Sequence, residues 1–137
     1  LLSRFEGVLT AELLLGHYRK LVALDAESPT RAELVDFRGV TETDVTPGAL
    51  LSVAQQIADH YSERAGQLRC AMLAPTDLGY GFSRMYEMRN SPDAIDIKVF
   101  RDLDAALSWL LETDRPDRET LVAQLDGPPE ARLLFES

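Results

Sequence analysis

Apolar positions along this chain follow two rhythms, short runs with period two or no gap and longer stretches with helical spacing. Leu1 to Phe5 is apolar at alternate positions and Gly7 follows, which predicts a strand or a strand end. Thr10 stands where a cap belongs, ahead of a helix over about 11–24 with Glu12 in its first turn. Leu14, Tyr18, Leu21 and Val22 share one face of that helix, and Ser28 and Pro29 interrupt it. Glu33 to Phe37 reads as a buried strand with Asp36 near its C-terminal end. After a polar loop, Thr46 as cap and Pro47 as first residue open a helix to about residue 64. Its inward stripe is Leu50, Ala54, Ile57 and Tyr61, and Gly66 supplies the stop.

Leu68 to Ala74 predicts the next strand, ended by Pro75. Asp77, Gly79 and Gly81 form a glycine-rich approach to a helix over about 82–89, and Asn90, Ser91 and Pro92 a turn. Ile95 to Phe100 is a strand, and Asp102 caps a helix through Leu111 that buries Leu103, Ala106, Leu107 and Leu110. This alternation predicts an α/β fold, a single mostly parallel or mixed sheet with crossover helices. Residues 1–112 make the body of the domain and 113–137 a helical and extended appendage of it. In the appendage, Asp114 and Pro116 start a fifth helix to about Leu125, and Gly127, Pro128 and Pro129 break it. Arg132 to Phe135 then predicts a short terminal strand that covers the domain's own sheet or reaches a neighbouring subunit as a homodimer.

Composition narrows the range of partners. A hydrophobic fraction of 45% and a charged fraction of 27% suit a folded domain, and 137 residues suit one core. The net charge of -9 opposes binding to phosphate backbones and anionic headgroups, and no basic run reverses it locally. No apolar stretch approaches the roughly 20 residues of a membrane-spanning helix, and no signal-peptide pattern is present, so the expected compartment is the cytoplasm. The lone Cys70 makes no internal disulfide and reads as a small core residue on a strand rather than a reactive thiol.

Three segments resemble STAS-like domains. Phe5, Glu6, Gly7, Val8, Leu9 and Thr10 are similar to the strand, glycine, leucine-threonine and helix that open such domains. Leu34 to Val40 followed by Asp44, Val45 and Thr46 resembles the strand and Asp-x-Ser/Thr loop where anti-sigma-factor antagonists are phosphorylated. Ala74 to Gly81, with Arg84, Met85 and Tyr86, and then Val99 to Asp102 with Ala105, Ala106, Trp109 and Leu110, looks like the SpoIIAA-like branch. The likeness spans about residues 5–111 and implies a small sheet-and-helix domain, in a superfamily of phospho-switch regulators, transporter appendages and relatives of lipid carriers. Three features depart from the pattern: Pro47 follows Thr46 where antagonists carry glycine, the usual N-terminal hairpin is shortened or missing, and the tail beyond about Thr113 has no counterpart.

Two candidate sites follow. Phosphate on Thr46 would sit at a helix N-terminus, whereas the plainer role of this threonine is to cap that helix. The loops after Asp36, Ala74 and Phe100 are expected on the carboxyl edge of the sheet, where α/β folds bind ligands. Asp36, Thr76, Asp77, Tyr80, Arg84 and Arg101 could line one pocket there, with the arginines suited to an anionic group; the plainer reading is a tight turn. A response-regulator role for Asp36 fails, because Lys20 and Lys98, the only lysines, fall inside predicted elements. His17 and His60 lack a second ligand at i+4 and read as surface or half-buried residues, so no metal is expected. Met85, Tyr86 and Trp109 read as core residues, and no Gly-x-Ser-x-Gly turn is present. The expectation is a non-enzymatic regulatory or binding module without a cofactor, acting on a protein partner. The alternative is a small-molecule or lipid carrier with its pocket at the carboxyl edge, between the sheet and the helices after Thr46 and Gly81.

Overall fold

The strand-forming runs line up side by side. The computed structural model describes residues 1–27, 32–62, 68–89, 95–111 and 133–136. In chain order its elements are β1 (Leu2–Leu9), α1 (Ala11–Glu27), β2 (Ala32–Thr43), α2 (Pro47–Ser62), β3 (Leu68–Leu73), α3 (Asp77–Arg89), β4 (Ile95–Phe100), α4 (Leu103–Leu110) and β5 (Leu133–Glu136). The strands form one sheet in the order β4-β3-β2-β1-β5, and every adjacent pair is parallel. The fold is therefore α/β, and the terminal strand joins the sheet built by the rest of the chain.

The strand order explains the layers. From β1 to β4 the chain steps in one direction, and right-handed crossovers put α1, α2 and α3 on one face. From β4 it returns across the sheet to β5, so α4 falls on the opposite face. The core divides accordingly. Phe5, Leu14, Val35, Phe37, Leu50, Val53, Ile57, Cys70, Met72 and Tyr86 belong to the cluster under α1–α3. Leu2, Leu34, Ala71 and Leu73 pack with Ala106, Leu107, Leu110 and Leu111 in the cluster under α4. Strand alternation sends successive residues of β2 to these two faces.

Several predicted boundaries move. β1 does not end at Gly7: that residue adopts φ 81 at a register shift, and the strand continues through Val8 and Leu9 beside Glu42 and Thr43. Glycine takes this conformation without the Cβ penalty, so the bulge bends the strand without ending it. β2 runs on past Phe37 for the same reason, because the extended β1 supplies ladder partners to its polar half. Asp36 consequently lies in mid-strand rather than near a strand end, opposite Arg4 and Leu73. α3 begins at Asp77, so the glycine-rich approach is helical. Thr76 caps it, accepting from the Gly79 N–H at 3.1 Å, and a Cβ on Gly79 would meet that hydroxyl at 3.2 Å and the Ala74 Cβ at 3.5 Å. The glycine serves a close helix–strand approach rather than a loop. Ser28, Pro29, Gly66, the turn at 90–92 and the fifth helix lie outside the described residues, as does the side chain of Tyr61.

Candidate functional site

In open α/β sheets, ligands favour the carboxyl edge where neighbouring strands send their connections to opposite faces. Here that point lies between β3, which leads into α3, and β4, which leads into α4. The Ala74 N–H donates to the Phe100 carbonyl at 2.8 Å and holds the two strand ends together. Thr76, Asp77, Tyr80 and Arg101 do meet at this point. The Arg101 guanidinium lies 2.8 Å from an Asp77 carboxylate oxygen, 3.5 Å from the Pro75 carbonyl and 4.3 Å from the centre of the Tyr80 ring. The arginine is thus turned inward on its own chain, bridging the two loops. The Asp77 side chain is 95% exposed, so this ion pair is a solvated latch worth little energetically.

Asp36 and Arg84 do not join them. Asp36 points to the α4 face, fully buried, and both of its oxygens are occupied. Oδ1 accepts from the Arg38 backbone N–H and Nε, each at 3.0 Å, and Oδ2 from Arg38 Nη2 at 3.0 Å and Arg4 Nε at 3.1 Å. Burial works to raise this carboxyl, but the hydrogen bonds and charge of Arg38, with the charge of Arg4, outweigh it and hold the group below the ordinary aspartate value. Arg84 is exposed on α3 and pairs with Glu87 at 2.7 Å, one helical turn away. The single pocket expected for all six residues is therefore replaced by three separate polar contacts. Asp36 lies level with the last residues of β3 and β4, Leu73 and Phe100, but its carboxylate is buried and taken up by Arg4 and Arg38.

Thr46 caps α2 as predicted, its Oγ1 accepting from the Ala49 N–H at 3.1 Å. Thr10 does the same for α1, accepting from Leu13 at 3.1 Å. The two helix heads flank an open cleft of about 370 Å³ lined by Thr10, Ala11, Glu12, Asp44, Thr46 and Ala49. Thr46 is exposed on its rim.

The feature that sequence reasoning missed is interior. His17 is buried, not half-exposed, and its Nε2 lies 2.8 Å from Glu33 Oε2. The same oxygen accepts from Ser3 Oγ at 2.7 Å, and Cys70 Sγ approaches Oε1 at 3.8 Å. Four elements, β1, α1, β2 and β3, thus converge on one carboxylate in an apolar core. Burial works to raise the Glu33 carboxyl, but the charge and hydrogen bond of His17 and the hydrogen bond of Ser3 overcome it and keep the group low. Burial first, and then the neighbouring carboxylate, pushes the Cys70 thiol well above its ordinary value. Cys70 is therefore the inert core residue its sequence context implied. His17, Glu33 and Cys70 line a cavity of about 30 Å³ under α1–α3, with Phe5, Leu14, Val35, Ile57 and Tyr86 among its apolar walls. A signal for His17 was present: it falls on the inward stripe, between Leu14 and Leu21. Its partner sixteen residues away was not legible from spacing. Tyr86 packs in the core and Trp109 lies beside Phe100 and Arg69, whereas Met85 is 37% exposed and is not a core residue.

Among the described residues no helix is long and apolar enough to cross a membrane, and no group of three metal-ligating side chains is positioned to hold a metal ion. No protein-family profile matches the chain, and no curated protein matches it. Among solved structures it is similar to an uncharacterised protein of the DUF3478 family from Shewanella loihica PV-4, described as having a SpoIIAA-like fold. The two share 19% identity over 77% of this chain and 79% of that one, with a TM-score of 0.50. The fold is SpoIIAA-like, as the three sequence segments implied.

Proposed function

We propose that this chain is a non-enzymatic regulatory or binding module that works through protein contacts, with its contact surface at the cleft between the heads of α1 and α2. The observation that carries this reading is the placement of Thr46, an exposed hydroxyl on the rim of an open cleft whose charged lining residues, Glu12 and Asp44, are both acidic. Such a surface suits a basic group on a partner. Phosphate on Thr46 would add nearly two negative charges next to those carboxylates and deepen the same field. The Gly48 and Ala49 N–H groups at the head of α2 would donate to the phosphate oxygens; Pro47 has no N–H to offer. A cytoplasmic location belongs to the same reading, supported by the single unpaired cysteine.

Two substitutions isolate charge from capping. Aspartate and asparagine both cap helices well, so Thr46→Asp and Thr46→Asn should fold alike while differing by one charge. The expected result is phosphate on Thr46 in protein recovered from its own cells, and a set of cross-linked partners that differs between the two variants. Unmodified Thr46 in growing and stressed cells, with identical partners for both variants, would defeat the proposal.

A second reading, a carrier of a small molecule or lipid, draws on the mostly apolar cavity between the sheet and α1–α3. Its volume of about 30 Å³ holds only about one or two waters, so a carrier would have to swing α2 or α3 off the sheet to load. Native mass spectrometry of the protein from its own cells separates the readings: a retained ligand mass favours the carrier, the bare chain mass the contact module.

A further inference from the structure

Glu33 is 1% exposed, yet its two carboxylate oxygens are served unequally. Oε2 accepts from Ser3 Oγ at 2.7 Å and lies 2.8 Å from His17 Nε2. Among the described residues Oε1 meets Cys70 alone, whose Sγ stands 3.8 Å away. A thiol is a weak donor, whereas a carboxylate oxygen has two lone pairs to fill. Burial without such bonds is costly for a charged group, because nothing replaces the water it has left. Oε1 therefore calls for a stronger donor than these neighbours supply.

The space for that donor is adjacent. His17, Glu33 and Cys70 all line the cavity of about 30 Å³ under α1–α3, whose other walls include Phe5, Val35 and Ile57. A water needs roughly 10–15 Å³ of such space and about two to four polar partners, whereas a cavity with purely apolar walls stays dry. Drug-sized ligands fill pockets of about 300 Å³ or more, so an organic ligand does not fit here unless the walls move. We propose that this cavity is an internal hydration site, in which an ordered water donates to Glu33 Oε1 and accepts from the Cys70 thiol. Glu33 and Cys70 are register partners on β2 and β3, so the water bridges side chains that the ladder already sets opposite one another. It belongs to the core as a side chain does, completing the shell of the carboxylate. The inference does not rest on the cleft at the heads of α1 and α2.

A crystal structure of the unmodified chain tests the site, together with oxygen-17 relaxation dispersion, which counts long-lived water molecules in solution. Density for an ordered water should lie within about 3.0 Å of Glu33 Oε1. Glu33→Gln keeps a polar group at this position and should retain the water, so its dispersion amplitude should match that of the unmodified chain. Glu33→Met removes the anchor, and its amplitude should fall by about one water molecule. Circular dichroism matching the unmodified chain confirms that each variant folds; if Glu33→Met does not, the crystal structure and Glu33→Gln decide the matter. A cavity without ordered water density in the unmodified chain, a folded Glu33→Gln that loses the water, or a folded Glu33→Met with unchanged amplitude would each overturn the proposal.

Discussion

Removing the Glu33 carboxylate would leave Ser3, His17 and Cys70 facing one another in an apolar core. Taking away a buried acceptor that several groups share leaves each of them unsatisfied, at a cost of about 1–3 kcal/mol per group. Glu33→Ala should therefore lower the unfolding free energy by about 3 kcal/mol, and Glu33→Gln, which keeps the shape and one acceptor, by about half of that. Urea midpoints at neutral pH measure both. The same environment governs Cys70. With its thiol buried and held protonated, it should resist alkylation in the native protein at mildly alkaline pH and react once the chain is unfolded, as mass spectrometry would show. At this scale the sequence marked Cys70 as core but concealed the hub, because a hydrogen bond between a helix and a strand leaves no local spacing.

At the scale of elements, three of the four helix starts were legible, the exception being α3, which begins at Asp77. Thr10, Thr46 and Asp102 cap α1, α2 and α4 through hydrogen bonds to the third residue beyond each. A cap depends on a few adjacent residues, so local sequence suffices to place it. Thr10→Ala and Thr46→Ala should each cost about 1 kcal/mol in chemical denaturation, with Thr46→Ser close to neutral. Strand ends were less legible. Gly7 looked like a terminus and is instead a bulge, and Gly7→Ala should destabilise by about 1 kcal/mol because alanine resists its positive φ. The true ends of β1 and β2 are set by each other, through a ladder that begins at Leu2 beside Leu34 and closes at Leu9 beside Thr43.

For the molecule as a whole, β2 carries a buried carboxylate to each face: Glu33 toward α1–α3 and Asp36 toward the side of α4. Both are held below their ordinary values in the folded chain. A depressed folded-state value means that the unfolded chain binds protons more readily, so this stability is present above the unfolded values and is lost as pH falls through the folded ones. The native state should therefore hold near neutrality and weaken as pH drops below about 4, the unfolded carboxylate range. Both core layers should fail together, because one strand serves both. Urea unfolding followed across acid pH checks this, and in Glu33→Gln the slope of stability against pH should be shallower. Equal slopes in the two proteins would show that the buried hub has no part in acid unfolding.

The fold class, the order of elements, the three caps and most core positions followed from the chain itself, because propensity, capping and hydrophobic period act over a few neighbouring residues. Three things required the assembled sheet. The reach of β1 and β2 depends on their mutual pairing. The return of the chain from β4 to β5 creates the second layer, on whose side the Asp36 carboxylate is buried. The meeting of His17, Glu33, Ser3 and Cys70 joins residues up to sixty-seven positions apart, a proximity that only strand order and helix packing can arrange.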